Sequence, residues 1–206
     1  IMGVVSLLTD ASSEMVYPVL PLFLVNVLGA PVAAIGLIES LAEATAAFMK
    51  LGSGWLSDRI GRRKPLVALG YTLSNLAKPV LALTQSWPAV LGLRVTDRLG
   101  KGVRTAPRDA LIAESSTAEE RGRSFGVHRA LDTAGAAIGP FVAWLVLSLD
   151  PGAGGYRTIF MISAIPGALA ILVVLLAVRD TGKRLPPEQA TRLSLRGARR
   201  AAPPRC

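Results

Sequence analysis

The chain has 206 residues, 51% of them hydrophobic, with a mean hydropathy of +0.46 and a formal net charge of +9. Neither a disordered chain nor a soluble domain has this composition, because a soluble core interrupts its apolar residues with polar surface positions every few residues. A single cysteine, Cys206, excludes a disulfide framework, and no metal-ligand spacing or nucleophile–base pairing supports an enzyme, a metal site or a cofactor.

A spanning helix needs about 20 predominantly apolar residues. Six such segments follow one another, at roughly 3–28, 32–55, 65–84, 87–113, 123–149 and 156–178. The breaks between them are short: Gly29-Ala30-Pro31, a basic turn, Thr84-Gln85-Ser86, the stretch from Glu114 to Arg123, and Asp150 to Gly155. The first segment is too long and too polar in its middle for a cleaved signal peptide, so it is expected to serve as its own insertion signal. Residues 1–178 are therefore predicted to form one membrane bundle. Residues 179–206 are predicted to be a basic, disordered cytoplasmic tail or linker.

Charge sets the expected orientation. The 29–31 and 84–86 connections carry none and the 150–157 connection only Asp150 and Arg157, whereas the 58–64 turn carries Arg59, Arg62, Arg63 and Lys64. Lys and Arg are retained on the cytoplasmic side, so the even loops and both termini are placed inside, in a multi-pass protein of the cell (inner or plasma) membrane. The tail from Arg179 onward holds much of the excess positive charge, without interleaved aromatics. Contact with anionic lipid accounts for it, and no nucleic-acid partner is expected.

The fourth segment is unusual. Charges at Arg94, Asp97, Arg98, Lys101, Arg104 and Arg108 recur every three to four residues and share one helix face. At mid-bilayer each charge costs about 2.5–3.5 kcal/mol on insertion scales, so this face must line a watery cavity or pair with neighbouring helices. Asp10 and Glu14 lie one turn apart near the middle of the first segment, and Glu39 and Glu43 repeat that spacing in the second. The Gly100-Lys101-Gly102 run is not a P-loop, lacking the upstream glycine.

Three motifs carry a resemblance. Gly54-Trp55-Leu56-Ser57-Asp58-Arg59-Ile60-Gly61-Arg62-Arg63 matches every fixed position of the pattern Gly-x-Leu-x-Asp-Arg-x-Gly-Arg-Arg between helices two and three of the major facilitator superfamily. Arg94, with Asp97 where glutamine is usual and Gly100 and Gly102 beyond, resembles the fourth-helix motif; Arg98 replaces a usual glycine and is a second candidate for the arginine's role. Gly135, Gly139 and Pro140 resemble the fifth-helix motif of antiporters and drug exporters, without the glycine pair that often follows. Glycines four apart also admit a close helix neighbour, and proline can bend the helix.

The resemblance implies an all-α six-transmembrane-helix bundle, one half of a major facilitator fold with inverted three-helix repeats. It further implies the N-terminal half of a secondary transporter, with proton-coupled antiport or efflux of a small organic molecule. The substrate and proton path is placed at Asp10, Glu14, Glu39, Glu43, Arg94, Asp97, Arg98 and Lys101, with Asp10 and Glu14 in contact with Arg94, Arg98 and Lys101. A conformational switch is placed at Gly54, Asp58, Arg59, Gly61, Arg62 and Arg63, where Asp58 is expected to latch with Arg62 and with Asp109 or Glu114. Arg129, Asp132 and His128 are expected in a structural charged cluster, with His128 hydrogen-bonded. The partners implied are a small-molecule substrate, protons, the lipid bilayer, and a C-terminal six-helix bundle or second copy. The alternative is a non-transporting six-helix module. The start at Ile1 and the aperiodic Arg, Ala and Pro run from Leu193 to Cys206 suggest a fragment.

Overall fold

A computed structural model describes residues 1–117 and 119–178. The expected tail over 179–206 lies outside the described residues. Helices α1 (Met2–Val16) and α2 (Leu20–Asn26) form the first span, α3 (Val32–Ile60) the second, and α4 (Lys64–Val80) with a 3-10 turn over Leu81–Leu83 the third. Helix α5 (Trp87–Glu114) is the fourth span, α6 (Arg121–Leu149) the fifth, and α7 (Ala153–Ile162) with α8 (Ala164–Ala177) the sixth. The protein is an all-α membrane bundle, with no strand among the described residues.

Two spans are broken rather than continuous. Pro18 and Pro21 remove backbone donors around Tyr17–Val19 and separate α1 from α2; Pro166, in the first turn of α8, does the same beyond Ser163. By length and composition, Val32–Ile60, Lys64–Leu83, Arg121–Leu149 and Ala153–Ala177 qualify as crossing a membrane. The first span falls short because of its break, and α5 because of its charges. Helix α3 also continues past the expected end at 55, through Asp58, to a left-handed Gly61 (φ 66°) whose N–H bonds to the Ser57 carbonyl 3.0 Å away. The motif glycine is thus a helix C-cap, a conformation costly for other residues.

Helix packing follows the repeat. Helix α1 lies along α6 as α3 lies along α5; α4 packs on α5 as α8 packs on α1; and α4 meets α8. Exchanging spans one to three with spans four to six turns the α1–α6 contact into the α3–α5 contact and the α4–α5 contact into the α1–α8 contact, and leaves the α4–α8 contact unchanged. An odd number of spans per repeat inverts the second unit relative to the first.

Small residues make the seams. A Cβ on Gly139 would lie 2.7 Å from the Glu14 carbonyl carbon and 2.8 Å from the Ala11 oxygen, and one on Gly135 would strike the Leu7 carbonyl. Gly102 seats on α3, where a Cβ would be 2.7 Å from the Ala46 oxygen, and Gly100 on α4, 2.7 Å from the Ser74 nitrogen. Such close approach supplies the packing that holds helices together in lipid, where no hydrophobic effect drives their association.

Two apolar clusters cap the interior. At the end away from the basic turn, Phe23 meets Phe160 edge to face at 5.1 Å among Leu20, Ile38, Val90 and Ile159. Near the basic turn, Val5, Val67, Tyr71, Leu111 and Val174 pack together. Large apolar side chains also cover the outside, among them Phe48, Leu51, Leu83, Phe141, Trp144 and Leu176. A surface of that kind belongs in lipid or against another bundle, not in water.

Candidate functional site

Between the apolar clusters lies a polar layer. Clamped by Gly100 and Gly102, α5 turns its charged face inward, and Arg94, Asp97, Arg98 and Arg104 are all buried. They line a cavity of about 240 Å³ together with Asp10, Glu14, Glu43, Lys78 and Lys101. Complete ligand pockets run to about 300–1,000 Å³.

Arg94 is the most heavily bonded residue of this layer. Its Nε and Nη2 donate to Glu39 Oε1 at 3.1 and 3.0 Å, Nη2 also reaches Oε2 at 3.1 Å, and Nη1 donates to Asp97 Oδ2 at 3.1 Å. The other Asp97 oxygen accepts from the Ser74 hydroxyl on α4. Arg98 pairs with Glu43 at 3.1 Å. Both guanidinium groups stack on the Tyr17 ring, at 5.0 and 5.6 Å, so the end of α1 closes over them.

The carboxylate partners of the two arginines are not the expected ones. Asp10, Glu14, Arg94, Arg98 and Lys101 line one cavity, yet neither Asp10 nor Glu14 forms an ion pair with those cations; Glu39 and Glu43 of α3 do so for the two arginines. The reason is adjacency. Helix α3 packs directly along α5, whereas α1 packs on α6 and α8 and faces α5 across the cavity.

Lys78 was not expected at this site. It is 3% exposed, and its ammonium donates to Asn75 Oδ1 at 2.8 Å and Ser12 Oγ at 3.0 Å. Ser12 in turn donates to the Ser163 carbonyl at the break between α7 and α8, 2.7 Å away. The signal was in the sequence: Lys78 is the one charged residue inside the 65–84 segment, with Asn75 and Ser74 one turn before it. Arg104, buried beside it, lies over the Tyr71 ring at 4.5 Å.

At the basic end, Arg63 rather than Arg62 makes the latch. Arg63 is buried and bridges Asp58, at 3.5 Å, to Glu114 at the end of α5, tying α3 to α5; Arg62 is exposed, and Asp109 pairs instead with Arg108 at 3.0 Å. Arg59 stacks on Trp55 at 5.2 Å, Gly54 faces Ala106, and Lys64 caps the Leu175 carbonyl at 2.8 Å. Asp132 accepts from Ser6 at 2.5 Å and from Arg129 at 3.2 Å, joining α6 to α1. His128 departs from expectation: it is buried, with neither ring nitrogen hydrogen-bonded among the described residues.

The sequence matches the Major Facilitator Superfamily over residues 2–203. The chain belongs to this superfamily. It is 38% identical over 173 residues to an uncharacterised MFS-type transporter of Methanocaldococcus jannaschii, covering 84% of the chain and 42% of that relative. It is 30% identical over 161 residues to the multidrug resistance protein MdtH of Photorhabdus laumondii, covering 75% of the chain and 39% of that protein. Among solved structures, an inward-facing bacterial homologue of the human lysosomal transporter Spinster superposes with a TM-score of 0.71 at 19% identity. That superposition covers 87% of this chain and 43% of the other. The chain thus spans less than half the length of the curated relatives it matches.

Proposed function

We propose that this superfamily member is the N-terminal half of a secondary transporter that exports a small organic molecule in exchange for protons. The observation that carries the reading is the charged cavity at the centre of an otherwise apolar bundle, where structure alone would favour hydrocarbon side chains. Similarity to a multidrug resistance protein and the Gly135, Gly139 and Pro140 motif support export. In this reading Asp10 and Glu14, which form no ion pair among the described residues, exchange the coupling proton, and Arg94, Asp97, Arg98 and Lys101 with Glu39 and Glu43 form the substrate path. Asp58 and Arg63 release and reform their link to Glu114 as the bundle rocks. The basic 58–64 turn lies in the cytoplasm, with both termini.

A second bundle completes the path. Glu43, with a side chain 61% exposed, and the exposed Lys101 border the cavity on a side that cannot face lipid. A C-terminal six-helix bundle or a second copy covers it. Reconstitution of the full-length protein in liposomes with an imposed proton gradient tests the reading. Gradient-dependent flux of at least one of a panel of organic dyes and drugs is expected, abolished by Asp10→Asn together with Glu14→Gln; flux that ignores the gradient would reject proton coupling.

A further inference from the structure

Three of the cavity's five cations lack a carboxylate partner, and two of these are deeply buried. Lys78 is 3% exposed and hydrogen-bonded to the neutral oxygens of Ser12 and Asn75, which leaves the third ammonium donor unassigned by those bonds. Arg104 is 4% exposed, and its Nε and Nη1 have no hydrogen-bond partner among the described residues. Buried donors with unmade hydrogen bonds are costly, so these groups call for an acceptor.

The nearby carboxylates are committed elsewhere. Asp97 is bonded to Ser74 and Arg94, Glu39 to Arg94, and Glu43 to Arg98. On the opposite wall Asp10 is hydrogen-bonded to the Asp132 carboxyl, and Glu14, only half buried, borders the open space. The unmade hydrogen bonds at depth are therefore donors, which an anionic acceptor satisfies best. Val16, Leu81 and Leu93 line the same cavity and offer an apolar surface beside the cations.

We infer, resting on the reading of this cavity as the substrate path, that its ligand class is a small organic monocarboxylate whose carboxylate binds between Lys78 and Arg104. Its apolar body lies against Leu81 and Leu93. Asp10 and Glu14 face the same space and disfavour a dianion, which separates this class from phosphate.

The experiment is equilibrium binding of labelled benzoate to the full-length protein in lipid nanodiscs. Benzamide, benzylammonium and inorganic phosphate serve as competitors. Saturable benzoate binding is expected, with benzamide and benzylammonium failing to compete and phosphate competing weakly. Lys78→Met and Arg104→Met should each weaken binding about tenfold or more, the loss expected for a charged hydrogen bond, while Lys78→Arg and Arg104→Lys retain most of it. Displacement by benzamide or benzylammonium as effective as by benzoate itself would overturn the inference, as would stronger displacement by phosphate. Because this series uses the unaltered protein, it decides the class even where a variant fails to fold. Parallel flux assays separate the two readings. Benzoate binding without gradient-driven flux of any probe would reject transport and keep the anion site; gradient-driven flux of an organic cation, unchanged by both Met substitutions, would reject the anion site and keep transport.

Discussion

Glu39 and Arg94 are 55 positions apart, yet they share three hydrogen bonds in the interior of the bundle. Removing Glu39 leaves Arg94 with Asp97 as its remaining carboxylate partner. Glu39→Gln should therefore destabilise the protein by about 1.5–3 kcal/mol, the worth of hydrogen bonds to a charged group, and Arg94→Met by at least as much because it also takes the cation from Asp97. Thermal unfolding in detergent checks both; equal stability of Glu39→Gln and wild type would show the pair to be solvated. The charged face of α5 was legible from its three-to-four residue rhythm. Which acid met which base was not, since Asp10 with Glu14 and Glu39 with Glu43 have the same spacing. Only the seating of Gly102 on Ala46 brings α3, not α1, alongside α5. Lys78 escaped notice because a lone lysine in an apolar segment has no periodicity to join.

At the scale of elements, glycines in the same helix differ in kind. Gly139 and Gly135 lie against the α1 backbone, whereas a Cβ on Gly126 would meet nothing within 4 Å. Gly139→Ala is expected to push α6 off α1 and cost about 1–3 kcal/mol, as overpacking does. Gly126→Ala, in the exposed face of α6, should instead stabilise by about 0.5–1 kcal/mol through helix propensity. Melting temperatures of the two variants give the comparison, and a shift in the same direction for both would refute the seam. Span number and approximate limits were legible from hydropathy. The breaks after Val16 and at Ser163 were not placed, although Pro18, Pro21 and Pro166 stand beside them, because the apolar runs continue across both. In the second span the order was reversed: Asp58 and Arg59 looked like loop residues, but α3 carries them to its end at Ile60 before Gly61 caps it.

For the whole molecule, the pairing of spans one with five and two with four, and the meeting of three with six, expresses an inverted repeat that faint sequence echoes could not establish. That repeat leaves the basic turn at one end of the bundle and the 84–86 connection at the other. In a Cys206→Ser background, a membrane-impermeant maleimide applied to intact cells should label Gln85→Cys, and should reach Arg62→Cys only after permeabilisation; the opposite pattern would invert the proposed orientation. Among the described residues nothing covers the side of the cavity bordered by Glu43 and Lys101, and the proposed alternating access needs a second bundle there. Proton-gradient-driven flux in liposomes, measured for the six-span chain alone and for the same chain co-reconstituted with a C-terminal six-span bundle, tests this most directly. Flux is expected only when the second bundle is present; robust flux by the demonstrably monomeric chain, or none under either condition, would contradict it.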